Sequence, residues 1–312
     1  MAEGETRTLR VGISACLLGE RVRWDGGHKR AAFLTDVLGK HVEWVAVCPE
    51  VELGLGVPRP PIDFVDQAGA TRLIVTTTGE DITERMQAYA AWRAKGLASL
   101  ALDGYVLKST SPSCGRARGL FAVALAEAMP HVPLEEETRL RRAPGRAHFV
   151  ERLLAAARWR DLTRRPIRAG DLAAFHAVHK YALLAHSPRD YETLTHLVAT
   201  AARHRLDEVV THYGARFARA YAAPATRARH GDVLEQMAGF FLRALSDDER
   251  AELTTAIAAY RRGSVALIEP LGLVRAHVHR LGVAHLAEQV YLRRDPIDLL
   301  SSALTPRGRQ LS

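Results

Sequence analysis

Cysteine is scarce in this chain: Cys16, Cys48 and Cys114 are the three among 312 residues. An odd count so thinly spread excludes a disulfide scaffold and points to a reducing compartment. Long apolar runs are missing too. Arg, Asp, Glu or His interrupts each hydrophobic stretch before it reaches bilayer length, and the opening MAEGETRTLR carries charge with no apolar signal core behind it. The expectation is a soluble cytoplasmic protein with no membrane association. Lysine supplies only five of the 43 basic residues, and no internal repeat stands out.

What the chain does have is a hydrophobic content of 47%, enough for one large or two ordinary domains and too much for wholesale disorder. Its net charge of +8 is unevenly divided. Residues 1–155 hold 20 basic and 19 acidic side chains, whereas residues 156–312 hold 23 and 16, along with ten of the 14 histidines. Guanidinium forks suit phosphate, although arginine richness can equally reflect genomic composition.

Patterning separates the two halves. Val11–Leu18, Val42–Val47, Leu73–Thr78 and Gly104–Leu107 read as short strands, with Val132–Leu134 as a brief fifth. Between them Phe33–Leu38 opens a helix, Gly79–Thr83 leads into a long one through Met86 and Trp92, and Phe121–Met129 and Phe149–Trp159 are helical. Strands alternating with helices argue for a parallel α/β sheet. The polar, proline-containing Arg160–Arg168 marks a boundary, giving domains over 1–160 and 161–312. The second reads as all-helical: Asp171–His186, Tyr191–His204, Glu208–Ala223, Thr226–Leu245, Asp247–Gly263, Glu269–Val283 and Leu286–Tyr291. The fold class expected is therefore a Rossmann-like parallel-sheet domain followed by an all-α domain.

Each cysteine falls at or just beyond the carboxyl end of an expected strand, where open α/β sheets gather their ligand-binding loops. Three loops could thus share one crevice. The spacings resemble neither a zinc knuckle nor a compact ferredoxin run. Chemistry alone leaves three readings open: buried structural thiols, a three-thiolate metal or iron-sulfur site, and a thiol nucleophile. The surroundings are turn-rich: Cys16 precedes Leu17-Leu18-Gly19, Cys48 sits in Cys-Pro-Glu, and Cys114 in Ser-Pro-Ser-Cys-Gly.

Four motifs in order, VGISACLLGERVRWDGGHKR at Val11–Arg30, VCPEVELGLG at Val47–Gly56, TGEDITERM at Thr78–Met86 and KSTSPSCG at Lys108–Gly115, resemble the thiouracil desulfurase family. FHAVHKYALLAH at Phe175–His186, with Tyr260–Arg262 and Gln289–Leu292, resembles the helical domain often fused to it. Together the halves look like the bacterial tRNA 4-thiouridine desulfidases. That resemblance implies a [4Fe-4S] cluster held by Cys16, Cys48 and Cys114, with one iron left without a protein ligand and room for an additional bound sulfide. Thiolates suit such clusters, and the open corner is Lewis-acidic and sulfur-seeking. The resemblance also implies an acidic catalytic residue at Glu50, which would orient or deprotonate water; its ordinary role would be a helix-cap partner or a surface salt bridge. Ser111 and Ser113 are read as hydrogen-bonding substrate or cluster sulfide, or else as turn caps around Pro112. Ser14, Asp25, His28, Lys29 and Lys108 complete the candidate substrate-binding set, closing the pocket or meeting a uridine phosphate. One departure from the family pattern is the short segment Arg116–Leu120 after Ser-Cys-Gly, which bears on the pocket rim and on substrate size.

In the helical half, His176, His179, Lys180 and His186 recur at helical spacing without an acidic or cysteine partner, a pattern that favours a mixture of core and surface positions over a metal site. Arg164, Arg165, Arg168, Arg203, Arg205, Arg216, Arg219, Arg227 and Arg229 could track tRNA phosphates or simply form a solvated face. The expected partner is tRNA containing 4-thiouridine, with small thiopyrimidines also admissible and no obligate protein partner evident. Free thiouracil or thiouridine nucleosides as substrates, and a non-catalytic RNA-binding cluster sensor, are the other readings.

Overall fold

Six short strands and a run of helices make up the described residues, 8–67 and 69–293, of a computed structural model of the chain. The charged opening and the end beyond residue 293 lie outside them. The chain divides between Arg160 and Asp161 into two compact units, each taken separately below.

In the first unit β1 (Leu9–Ser14), β2 (Val42–Val47), β5 (Gly104–Leu107) and β6 (Leu134–Glu136) form one parallel sheet in the order β2-β1-β5-β6. The central strands are apolar on both faces, as covered parallel strands are: Val11, Ile13, Val106 and Leu107 are fully buried. Gly12 is required where Tyr105 crosses it, since a Cβ there would overlap the ring. Helices α1 (Pro49–Glu52), α2 (Thr83–Ser99), α3 (Leu120–Ala128) and α4 (Ala143–Thr163) follow along the chain. Ala90, Ala94 and Leu97 of α2 and Phe121 and Leu125 of α3 share one core with Tyr105 and Leu107.

The parallel α/β expectation holds, with three local corrections. The strand expected at Leu73–Thr78 is β4 (Ala70–Val75), and it does not join the main sheet. It pairs antiparallel with β3 (Ile62–Gln67), a strand the patterning does not reveal, across a turn at Gly69 with positive φ. Ile62 and Phe64 lie against a small core of Leu73, Val75, Ile82 and Met86, so the hairpin buries its own apolar face. Val11–Leu18 ceases to be strand at Ser14, and Ala15–Leu18 is a tight helical turn. The helix expected to open at Phe33–Leu38 is a short wide turn over Phe33–Val37 followed by a tight one over Leu38–Lys40.

The second unit is helical throughout its described residues: α5 (Ala169–Val178), α6 (Lys180–His186), α7 (Pro188–Thr200), α8 (Leu206–Ala222), α9 (Arg227–Ala238), α10 (Asp247–Arg262), α11 (Ile268–Arg280) and α12 (Ala284–Ala287). Capping chemistry sets several ends. Ser187 accepts the Asp190 N–H, and Ser246 and Glu249 form a reciprocal capping box that starts α10. The expected single helix Asp171–His186 is broken at His179. The ring Nδ1 lies 2.7 Å from the Phe175 carbonyl and competes for the acceptor that an unbroken helix would reserve for the His179 N–H. Thr226–Leu245 likewise stops at Ala238, with Gly239 following.

Candidate thiol site

Strand order positions the cysteines. The chain moves from β1 outward to β2, then returns to the other side of β1 for β5, a topological switch that opens a crevice at the carboxyl ends of the strands. Cys16 follows β1 by two residues, Cys48 follows β2 directly, and Cys114 lies in the loop after β5. All three line one cavity of about 290 Å³ together with Ser14, Glu50, Lys108 and Ser111. Sequence positions 14 to 114 are thereby gathered at one end of the sheet.

Glu50 lines it and is buried. It is neither a cap partner nor a surface salt bridge. Its Oε1 accepts the Ser113 hydroxyl at 2.9 Å and the Ser111 hydroxyl at 3.3 Å; the Cys48 thiol donates to Oε2 at 3.3 Å. Arg59, which gives no signal of its own within the proline-rich Val57–Pro61, brings its guanidinium to 3.8 Å from Oε2. That side chain is itself buried, donating to the Val22 carbonyl at 2.9 Å and the Gly56 carbonyl at 3.0 Å.

The loop after β5 is held from both sides. Ser111 Oγ accepts the N–H groups of Ser113 and Cys114, so it caps its turn while also facing Glu50. Glu137 accepts the Ser109 N–H at 2.6 Å, the Ser109 hydroxyl at 2.8 Å and the Lys108 ammonium at 2.9 Å. Between the Glu137 clamp and the two serines, Thr110 has φ of 56°, a left-handed conformation that a β-branched residue adopts only under constraint. The short return after Cys114 works because Gly119 has no Cβ: one there would lie 2.5 Å from the Ser113 carbonyl.

Burial governs the thiols. It pushes Cys16 up to about 11 and Cys48 up to about 12, with the Glu50 charge adding to both; Cys114 is also raised, first by burial and then by Glu50. Two buried thiols and a half-buried one beside a carboxylate favour their protonated forms, and a bound metal cation opposes that preference. Among the described residues no three His, Cys, Asp or Glu side chains are grouped to grip a single ion. Three soft donors from separate loops lining one cavity are the donor type that iron-sulfur clusters take.

The remaining candidates divide. Ser14 lines the cavity, and its hydroxyl accepts the Lys108 N–H at 3.0 Å. Lys108 lines it too, but its ammonium is engaged by Glu137 and Ser109. Asp25, His28 and Lys29 are not brought to this cavity. Asp25 caps the Gly27 N–H, and His28 Nδ1 accepts the Arg30 N–H. Lys29 reaches the site through its backbone, donating to the Cys16 carbonyl at 2.9 Å, while its side chain borders a second cavity of about 680 Å³ with Arg30, Arg141 and Arg146.

In the helical unit His176, His179 and His186 are buried packing groups. His176 meets the Tyr213 hydroxyl at 3.1 Å and Thr195 at 3.0 Å, and His186 meets the Ala223 carbonyl at 2.7 Å. Several arginines are spent internally. Arg216 and Arg219 share the buried Asp190, and Arg227 and Arg229 donate to the carbonyls of Tyr260 and His186. No helix among the described residues is long and apolar enough to cross a membrane.

A parallel α/β domain with three thiols and a carboxylate gathered at the strand ends is the class that this fold and site define. Comparison with known proteins names the family: the 2-thiouracil desulfurase model matches residues 11–137, and that of a protein of unknown function, DUF1722, matches residues 180–296. The chain belongs to the 2-thiouracil desulfurase family, as its four motifs suggested. It is 32% identical over 108 residues to Uncharacterized protein YbbK of Bacillus subtilis (strain 168), covering 33% of this chain and 71% of that relative. It is 29% identical over 146 residues to Uncharacterized protein YbgA of Escherichia coli (strain K12), covering 46% of this chain and 86% of that one. Among solved structures, the [4Fe-4S]-dependent thiouracil desulfidase TudS matches with 30% identity and a TM-score of 0.37, over 43% of this chain and 93% of that one.

Proposed function

We propose that the chain is an iron-sulfur-dependent desulfidase that removes sulfur from 4-thiouridine in tRNA, giving uridine and hydrogen sulfide. The observation that carries the reading is the convergence of Cys16, Cys48, Cys114 and Glu50 on one cavity at the switch point of the sheet. The three cysteines would hold a [4Fe-4S] cluster, which when bound supplies an open, sulfur-seeking Lewis-acidic iron. In the net reaction water replaces the thiocarbonyl sulfur and hydrogen sulfide leaves, so no external electron donor is needed. Glu50 would orient the water and take its proton. The hydroxyls of Ser111 and Ser113 fix one carboxylate oxygen, leaving the other toward Cys48 and Arg59. Ser14, which lines the same cavity, would hydrogen-bond the base or a sulfide.

The excess positive charge of residues 156–312 supports a polyanionic substrate. Because Arg216, Arg227 and Arg229 have internal partners, phosphate contact would draw on more exposed guanidinium groups such as Arg219 and Arg205, at 60% and 74% side-chain exposure, with phosphate displacing the surface ion pair of Arg205 with Asp207. A second reading, free thiouracil as substrate, is favoured by the family match over residues 11–137 and by a cavity large enough for a single base. The test incubates anaerobically reconstituted protein with thiolated tRNA and with free thiouracil, following loss of thiocarbonyl absorbance together with sulfide release. Turnover of tRNA is expected. Intact thiouridine with a fully loaded cluster overturns the tRNA reading, and turnover of thiouracil alone would then establish the second.

A further inference from the structure

Trp24 is one of seven large apolar side chains left exposed among the described residues, at 47%, and it borders the cysteine cavity. It is the sole aromatic side chain among the residues lining that cavity. Its neighbours there include backbone-rich loops, small hydroxyls and the run Pro60-Pro61-Ile62, none of which offers a π-face. The indole is also unused: among the described residues it enters no aromatic pair and no cation–π contact, unlike Tyr105 with Phe121 or Arg146 with Phe33.

The backbone beneath it is fixed with respect to the reacting groups. The Trp24 carbonyl accepts the Arg59 N–H at 3.0 Å, and the Val22 carbonyl accepts the Arg59 guanidinium at 2.9 Å. The same guanidinium faces Glu50, while the Cys48 thiol lies 3.6 Å from the Val22 carbonyl. On the far side of Trp24 the chain is closed by Gly26 N–H to the Arg23 carbonyl and by Asp25 on Gly27. An exposed aromatic plane is thus held at a set place relative to Glu50 and Cys48 by its main chain, leaving the ring itself free for a ligand.

A pyrimidine taken out of a nucleic-acid strand loses its stacking neighbours, and an aromatic side chain restores that contact whatever the base carries at its edge. We propose that Trp24 is the specificity-determining platform on which the pyrimidine ring stacks when it enters the cavity. This rests on the desulfidase reading above for the identity of the ligand, though not for the stacking itself. Stacking on Trp24 selects a planar heteroaromatic ring; recognition of its sulfur falls to the thiol end of the cavity.

The experiment compares the reconstituted parent with Trp24→Phe and Trp24→Ala, matched for iron content and visible spectrum. Three quantities are read: the KM and kcat for a thiopyrimidine nucleoside, and the calorimetric affinity for uridine, which has no sulfur to lose. Trp24→Ala is expected to raise KM and weaken uridine binding roughly 5- to 150-fold, the range found when a stacking aromatic is truncated, with kcat nearly unchanged. Trp24→Phe keeps most of the affinity. Uridine binding by Trp24→Ala equal to the parent's, or binding by Trp24→Phe as weak as by Trp24→Ala, overturns the proposal. If instead the loaded parent releases no sulfide from any thiopyrimidine while the uridine affinities follow the expected order, the desulfidase reading fails and the stacking platform stands.

Discussion

The Ser113 hydroxyl donates to the Glu50 carboxylate at 2.9 Å across 63 positions of sequence, joining the loop after β5 to the first turn after β2. Both side chains are buried, so the bond is made where water competes least. It ties the carboxylate to the segment that ends in Cys114.

Replacing Glu50 with Gln keeps the shape and the burial but removes the carboxylate. Turnover should fall by about 10²- to 10⁴-fold, the usual worth of a positioned acid-base group. Iron and sulfide content should match the parent. Single-turnover sulfide release beside iron analysis checks this, and parental turnover would remove Glu50 from catalysis.

Cys16→Ala, Cys48→Ala and Cys114→Ala each take one donor from the cavity. Each variant should lose most of its iron after anaerobic reconstitution, together with the thiolate-to-iron absorption in the visible region. A fully loaded Cys114→Ala protein would assign that thiol to the core around Leu107 and Phe121, where it also packs.

Glu137 braces the cysteine loop from the opposite side. Glu137→Ala leaves the buried Ser109 N–H and hydroxyl without their acceptor, a loss of about 1–3 kcal/mol for each buried group that stays unsatisfied. The strained Thr110 turn depends on that brace. Expected outcomes are a lowered unfolding midpoint and faster amide exchange over residues 108–115, both milder in Glu137→Gln.

Acid should weaken the helical unit through two buried imidazoles. Burial lowers His176 from 6.5 to about 4 and, with help from Arg227, lowers His230 likewise. In the window from about 6.5 down to about 4 the unfolded chain binds protons that the folded chain refuses, so stability falls as pH falls and levels off below about 4. The slope is at most ~1.4 kcal/mol per pH unit for each ring, and less because solvent partly reaches them. Amide exchange across α5 and α9 as a function of pH measures it, and His176→Asn should flatten the profile around α5.

Much of the site was legible in one dimension because cysteine is so rare. Three thiols in turn-rich segments at the ends of apolar runs, one followed at two residues by Glu50, suffice to place a candidate chemistry at the strand ends. Arg59 carried no such signal: an arginine between prolines reads as a loop residue until its guanidinium is seen under Val22 and beside Glu50. Glu137 sits within a run of three glutamates, and only pairing of β5 with β6 sets it against Ser109. Conversely, Asp25-Gly26-Gly27-His28-Lys29 advertised polar chemistry and supplies a turn, with Lys29 holding Cys16 through its N–H.

Composition and periodicity by themselves determined the division into a parallel α/β half and a helical half, because strand and helix periods are local properties of neighbouring side chains. The sequence likewise determined which residues could serve as soft ligands. Tertiary structure decided which strands share the sheet, sending β4 into a hairpin with β3, since pairing depends on segments that are distant along the chain. It also decided that Glu50 is buried among hydroxyls and a guanidinium instead of standing in solvent. Such an environment is assembled only when loops separated by tens of residues meet at one end of the sheet.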